Sequence, residues 1–420
     1  MSNIGKSRST WSRGDIEQYL AKEKLDYQKI SLPYGLETPG YDRSSTADLI
    51  FDESLAGKSV LDVGSSLGYF CFEAERRGAN DVVGIEVHAD TVRKARTLAE
   101  ILGSSAKFIE KDLELTTLDR KFDYVLCLNV LHHMHDPIAG LNRLIELTKE
   151  KLILEVATFG SHDGKKVNLS GIVCNWLSRF PIMFVAPTGT HKGRSVQRFY
   201  MSERAIRNLL WFHRGVFARL EFKKSPHKDR FVVIAHRRRI GHLLVVAGPT
   251  SSGKKTLERA LFENRVPQVR ELLGTPDTAV WAPAMNLHHL EEPGEPVRER
   301  LLLHYDITRP LMRSTRVYER DKVGDVISCA QRVTVLTIKA GAERLRAQIG
   351  AAAIDNKTHR GKKPKQRHLR IRDFYGDPAK VDAMYRAWLD FVSRHTQEHW
   401  LVEAVADGYR VSPAGAYQAG

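Results

Sequence analysis

The sequence predicts an α/β protein made of two doubly wound parallel sheets in succession. Three observations carry this. The chain has 420 residues, more than one hydrophobic core usually organises. Apolar runs of strand length alternate with segments whose apolar residues recur at helical spacing, the pattern of parallel strands joined by crossover helices. Two strand, glycine turn, helix units occur, one opening with SVLDV at 59–63 and one with HLLVVAG at 242–248. The boundary is expected near Arg238–Gly241, giving domains 1–240 and 241–420.

The elements follow in order. Residues 15–52 precede the first strand and contain YQKISLPYGLETPGYDRSS, whose Pro33, Gly35, Pro39 and Gly40 forbid a long helix, so a structured cover loop is expected. Tyr34, Thr38, Tyr41 and Arg43 could line a pocket mouth, or the segment could be a surface loop packing its tyrosines on the core. SVLDVG is a continuous apolar run, as in a strand buried on both faces. A helix through 69–77, strand VVGIEV, a helix over 90–103, short strand AKFIEKD, long strand FDYVLCLNVLHH, helix PIAGLNRLIELT and strand KLILEVATF complete the alternation. Residues 159–200 break the rhythm with glycines and prolines, and an insertion over the strands' carboxyl ends is expected there, bringing Tyr200 towards substrate. Helix MSERAIRNLLWF, capped by Ser202, leads to two closing strands, ARLEFKKS and RFVVIAHRRR. In the second half come helix TLERALFEN, strands near 301–307 and 332–340, helix GAERLRAQI, a helix over 378–394 and a final strand HWLVEAVADGYRV.

Composition narrows the partners. An apolar fraction of 42% with 27% charged residues describes an ordinary globular chain. A net charge of +15 points to an anionic partner: nucleic acid, nucleotide, phosphorylated glycan or membrane surface. Cys71, Cys127, Cys174 and Cys329 are far apart without CxxC spacing, which favours a reduced setting and no structural zinc. With no secretory h-region and no long apolar run, a cytoplasmic protein without stable membrane insertion is expected.

The first glycine turn, GSSLG, places Gly64 and Gly68 after Asp62, and Ser65 lies between them. Glycines let backbone approach a ligand, and a helix start offers free N–H groups. Glu86 closes the second strand, where a carboxylate accepts both ribose hydroxyls. The turn lacks the full G-x-G-x-x-G pattern, which favours S-adenosylmethionine over a dinucleotide. VLDVGSSLGYF, VVGIEV, KDLE and FDYVLCLNVLHHMHDP together resemble the class I S-adenosylmethionine-dependent methyltransferases over roughly residues 45–236. That resemblance implies a Rossmann-like domain in which Asp62, Gly64 and Gly68 hold the methionine end, Glu86 the ribose, Asp112 the adenine and Asn129 the contact after the fourth strand. The LPYGLETPG cover, the LHHMHDP end and FYMSERAIRNLL are similar to the subgroup of tRNA wobble-uridine carboxymethyl and methyl transferases and related sugar methyltransferases.

Methyl transfer is an in-line displacement, so positioning carries much of the rate and a base helps an oxygen nucleophile. His132 and His133 are candidate bases; the other reading is that they cap the strand or pack beneath the substrate loop. No NPPY-like amino-methylating signature is present, which favours oxygen as the acceptor atom.

The second turn, Gly248 to Lys255, reads GPTSSGKK against G-x-x-x-x-G-K-[ST]. Gly248, Ser251, Ser252 and Gly253 would cradle phosphates and Lys254 would reach the terminal ones. Lys255 stands where Ser or Thr normally binds Mg2+, so either Thr256 takes over through a shifted turn, with Asp306 at the end of LLLHYD completing the magnesium site, or metal binding is weakened. This half is similar to P-loop small-molecule kinases and to tRNA isopentenyl-transfer enzymes, implying a P-loop NTPase-type domain using ATP or GTP with Mg2+. The basic stretch KTHRGKKPKQRHLRIR at 357–372 keeps three readings open: an arginine lid over phosphates, a nucleic-acid contact, or a solvated loop. The expectation is a bifunctional enzyme that methylates and phosphorylates a hydroxylated small molecule or glycan; RNA modification is the alternative.

Overall fold

The computed structural model describes residues 11–116, 118–159, 169–191, 194–212, 215–274, 281–284, 294–311, 318, 322–360 and 366–417. It comprises two compact units, residues 1–212 with 219–237, and 213–218 with 238–420.

The first unit contains α1 (Arg13–Lys22), α2 (Ser44–Ile50), β1 (Ser59–Val63), α3 (Tyr69–Arg76), β2 (Asp81–Glu86), α4 (Ala89–Leu102), β3 (Lys107–Glu110), β4 (Phe122–Leu128) and α5 (Pro137–Leu147). It continues with β5 (Thr148–Ala157), α6 (Gly171–Leu177), β6 (Met183–His191), β7 (Arg194–Met201), α7 (Glu203–Phe212), β8 (Phe217–Lys224) and β9 (Arg230–Arg237). The sheet order is β3-β2-β1-β4-β5-β9-β8, with β1 to β5 parallel and β9 antiparallel to β5. Every residue of β1 is buried because helices cover both faces of the sheet. From β1 the chain builds outward through β2 and β3, then returns to place β4 on the other side. That reversal opens a crevice at the carboxyl ends of β1 and β4, where such sheets bind ligands.

Two local expectations change here. The segment before the cover forms α1, started by a capping box: Ser12 Oγ accepts from Asp15 N and Asp15 Oδ2 accepts from Ser12 N at 3.2 and 2.9 Å. The long strand expected through 122–133 stops at Leu128, because Asn129 turns left-handed at φ 63° and residues 131–133 form a 3₁₀ turn. The cover is a loop of two isolated bridges, Gln28 with Tyr41 and Ser31 with Glu37. Thr38 Oγ1 stitches it by donating to Gln28 O and accepting from Ile30 N at 2.5 and 2.7 Å. Its Ile30 and Leu32 pack with Leu67 of the glycine turn and Leu98 and Ile101 of α4.

The second unit contains β10 (Arg239–Gly248), α8 (Lys254–Phe262), α9 (Pro267–Leu273), β11 (Ala282–Ala284), β12 (Val297–Asp306), α10 (Thr308–Leu311) and α11 (Lys322–Ile327). Then come β13 (Ala330–Ile338), α12 (Ala342–Arg360), α13 (Gln366–Phe374), α14 (Pro378–Ser393), β14 (His399–Val405) and β15 (Gly408–Pro413). The order β11-β12-β10-β13-β14-β15 is parallel except for the last strand. The single final strand expected at 399–411 is instead a hairpin, since Gly408 at φ 129° reverses the chain. β10 is central, with β12 on one side and β13 on the other, so the turn after it leaves from the point where strand order reverses.

Candidate active site

The first glycine turn is shaped by positions that admit no side chain. Gly64 has φ 73°, and a Cβ there would sit 2.3 Å from Val130 Cγ2; Gly68 has φ 96°, and a Cβ would meet Phe108 Cζ at 2.5 Å. Ser66 is left-handed as well, at φ 52°. Gly64 N and Ser65 N donate to Ile85 O at 2.8 and 3.1 Å, anchoring the turn on β2. Ser65 is buried, and its Oγ has no hydrogen-bond partner. Its side chain packs over Gly84 of β2, where an added Cβ would lie 2.7 Å from Ser65 Oγ.

Carboxylates flank the turn. Asp62 is buried, its Oδ2 accepts from the Cys71 thiol at 3.8 Å, and burial with Glu86 nearby pushes its pKa up to about 7. A buried carboxylate without a cation is destabilised in its charged form, and a cationic ligand would reverse that. Glu86 accepts from Ser66 N, Val87 N and His88 N at 3.2, 2.8 and 3.3 Å, which fixes it at the end of β2. Lys111 N donates to Glu86 O at 2.9 Å, so Asp112 follows directly beyond; its Oδ1 caps the next turn by accepting from Glu114 N at 2.7 Å.

A polar hydrogen-bonded network adjoins this crevice. Asn129 donates through Nδ2 to Glu155, and its Oδ1 is buried without a partner. Glu155, buried in β5, also accepts from Ser225 Oγ, whose oxygen accepts from His227 N at 3.0 Å. Arg43 Nη1 donates to His227 Nε2 at 2.8 Å, and its guanidinium lies 5.7 Å over the Tyr27 ring. His132 and His133 stack at 4.1 Å, and Tyr200 lies over His132 at 6.4 Å. Burial, then His133, Arg198 and Arg230, drive the His132 pKa down to about 3; partial burial and the same arginines drive His133 to about 4. Both imidazoles are neutral at pH 7.

The crevice thus brings together Asp62, Gly64, Ser65, Gly68 and Glu86, and the adjoining network joins Asn129 and Arg43 in one hydrogen-bonded chain beside the stack of His132, His133 and Tyr200. Tyr34 is exposed and its hydroxyl donates to Trp11 O at 3.4 Å, which ties it to the outer chain rather than a pocket mouth. Sequence reasoning missed Gln28, whose Oε1 accepts from Tyr69 N at 3.2 Å and so closes the first N–H of α3. It also missed Glu155, although a carboxylate inside the apolar run LILEVA is a legible signal.

In the second turn Ser251 is left-handed at φ 65° and Gly253 at φ 95°, and the space beside Gly253 is open. Ser252 Oγ is buried without a partner. Lys254 is buried and donates to Gly248 O and Pro249 O at 2.9 and 2.6 Å, so reaching a phosphate means exchanging those bonds. Asp306 lies opposite Gly248 in register; its Oδ2 accepts from Thr250 Oγ1 at 2.7 Å, while Thr308 N donates to Oδ1 at 3.0 Å. Lys255 and Thr256 are exposed on α8. The hydroxyl that meets Asp306 is Thr250 Oγ1, while Lys255 and Thr256, the latter expected to pair with Asp306, are exposed on α8. No cluster of three or more metal-ligating side chains occurs among the described residues. Of the basic stretch, Lys362, Lys363 and Lys365 lie outside the described residues, while Arg370 and Arg372 are exposed on α13. Tyr375, just after α13, donates to Thr250 O at 3.0 Å and bonds Thr308 Oγ1 at 2.8 Å.

A methyltransferase-domain family model matches residues 54–192. That span holds the glycine turn, Glu86, Asp112, Asn129 and the histidine pair, and the chain carries a class I S-adenosylmethionine-dependent methyltransferase domain. Among curated proteins, a ubiquinone biosynthesis O-methyltransferase of Erwinia tasmaniensis is 28% identical over 174 residues, covering 35% of this chain and 71% of that protein. A tRNA U34 carboxymethyltransferase of Helicobacter acinonychis is 29% identical over 144 residues, 33% of this chain and half, 50%, of that protein's length. Among solved structures, the N-terminal domain of EvdMO1, crystallised with SAH and D-fucose, aligns at 18% identity over 54% of this chain and 98% of its own, with a TM-score of 0.42. Among the described residues no helix is long and apolar enough to cross a membrane.

Proposed function

We propose that the first unit transfers a methyl group from S-adenosylmethionine to an oxygen of a hydroxylated small molecule or glycan, and that the second transfers a phosphoryl group from ATP or GTP to the same substrate. The carrying observation for methylation is the turn after β1, where Gly64 and Gly68 take φ of 73° and 96° and pack too closely on Val130 and Phe108 for any Cβ, with Glu86 fixed beside it at the end of β2. Asp62 and the turn would hold the methionine end, Glu86 the ribose hydroxyls and Asp112 the adenine. The cofactor supplies an electrophilic methyl on a sulfonium. This chain orients the acceptor against it, and His133, neutral and partly open, takes the hydroxyl proton while His132 backs it. The O-methyltransferase relative supports oxygen as the acceptor atom.

For the second unit the supporting observation is the left-handed turn between β10 and α8, with Asp306 and Thr250 beside it. Backbone N–H groups at the start of α8 suit phosphate oxygens. Thr250 and Asp306 are the oxygens that would hold Mg2+, and Lys254 would meet the terminal phosphates. Incubating purified protein with S-adenosylmethionine, ATP and hydroxylated acceptors should give a product carrying both groups by mass spectrometry. Methylation by a protein that binds no nucleotide would discard the second half of the reading.

The tRNA U34 relative and the net charge of +15 favour one other reading, an RNA-modifying enzyme with an accessory nucleotide-binding unit. It requires tRNA binding that weakens with salt and drops when Lys362, Lys363 and Lys365 are neutralised.

A further inference from the structure

Beside the histidines, two arginines have no balancing carboxylate among the described residues. Arg198 and Tyr200 are two apart on β7 and therefore share a face, and Tyr200 stacks over His132. Arg230 opens β9 opposite Ala157, on the face that also carries Glu155. Glu155 is already taken by Asn129 and Ser225. Among the described residues neither Arg198 nor Arg230 has a carboxylate within 4.0 Å, although most surface arginines of this unit do. Arg198 Nε and the 5% exposed His132 Nδ1 are both buried without hydrogen-bond partners. Two arginines without carboxylates, one of them with a buried unpaired Nε–H, mark the seat of an anion.

Resting on the methyltransferase reading above, we infer that the methyl acceptor carries a phosphate monoester held between Arg198 and Arg230, so that a phosphoryl transfer supplies the substrate of the methylation. Two guanidiniums match the charge of a phosphate dianion and can each bind it through two N–H groups; a carboxylate would leave one cation uncompensated. In the supplying step an acceptor hydroxyl oxygen attacks the terminal phosphorus of a nucleoside triphosphate. The bond to the bridging oxygen breaks with its electron pair on the nucleoside diphosphate, and the hydroxyl proton passes to solvent. In the consuming step a second hydroxyl oxygen attacks the methyl carbon, the C–S pair returns to sulfur, and His133 receives the proton.

The test is calorimetric titration of inorganic phosphate into full-length protein saturated with S-adenosylhomocysteine, with Lys254→Ala removing the phosphate seat of the second turn. Arg198→Gln and Arg230→Gln should each weaken phosphate about tenfold, while Arg198→Lys and Arg230→Lys keep part of the affinity. S-adenosylhomocysteine affinity, unchanged in the variants, certifies the fold; its absence from the parent protein would overturn the methyltransferase reading instead. Acetate should bind at least about tenfold more weakly than phosphate, having one charge fewer to pair. Phosphate affinity indifferent to both arginines overturns the proposal. So does acetate binding as tightly as phosphate, or a short oligoribonucleotide displacing phosphate at lower concentration.

Discussion

Gly68 shows how one position can hold a site. Its φ of 96° and the 2.5 Å approach of Phe108 leave no room for even a methyl group. Gly68→Ala should therefore cost about 1–3 kcal/mol in stability, read by urea unfolding, and should abolish binding of S-adenosylhomocysteine. Asp62 makes a second prediction, about pH. Its folded pKa is raised to about 7 from an ordinary 3.8, so the folded protein binds more protons between those values. The Asp62 contribution to stability is complete below the unfolded pKa and falls as pH rises towards 7. A bound cation needs the ionised form, so S-adenosylmethionine should bind with proton release and weaken about tenfold per pH unit below 7. The histidines move oppositely. With folded pKa values of about 3 and 4, they oppose folding as pH drops below their unfolded value near 6.5, and they give methylation no acid limb there. An acid limb near 6.5 that disappears in His133→Gln while ligand binding stays pH-independent would refute both assignments.

The turns are set by elements packed behind them. Gln28 reaches from the cover to Tyr69 N, the first N–H of α3, and Gly40 lets the strands of the cover touch, since a Cβ there would lie 2.2 Å from Gln28 C. Gln28→Ala should leave Tyr69 N unpaired and cost about 1 kcal/mol, with a matching loss of S-adenosylhomocysteine affinity by titration. In the second unit, Tyr375 ties the end of the basic helix α13 to Thr250 and Thr308. Tyr375→Phe removes that tie without changing volume, so nucleotide affinity should drop about threefold to tenfold while methyl transfer is untouched. These couplings were illegible beforehand. Gln28 and Tyr375 lie 41 and 125 residues from their partners, and no local periodicity reports a contact of that span.

At the scale of the molecule, the two units have separate cores: Val60, Tyr124 and Ile153 belong to one, and Leu244, Leu302 and Leu336 to the other. Ligands that bind one unit should raise the stability of that unit alone. At a hundredfold excess over Kd the gain is about 2.7 kcal/mol. In thermal unfolding, S-adenosylhomocysteine should move one transition and ATP with Mg2+ the other; one transition shifted equally by both would show a single cooperative body. The charge of +15 also separates the readings. Affinity for a phosphorylated small molecule should depend only weakly on salt, whereas tRNA binding would fall steeply, since each phosphate contact releases a counterion.

By itself the sequence determined the alternation of strands and helices, the places of the two glycine turns and the carboxylates Asp62, Glu86 and Asp306, because these rest on local rules: apolar period, left-handed backbone and strand ends. Tertiary structure decided which hydroxyl faces Asp306, that of Thr250, and that Arg198 and Arg230 stand near His132 with no acidic partner among the described residues. Strand order and register bring residues about a hundred positions apart onto one face of one crevice. Pairing of that kind depends on the whole sheet, and it is where the chemistry of the acceptor is written.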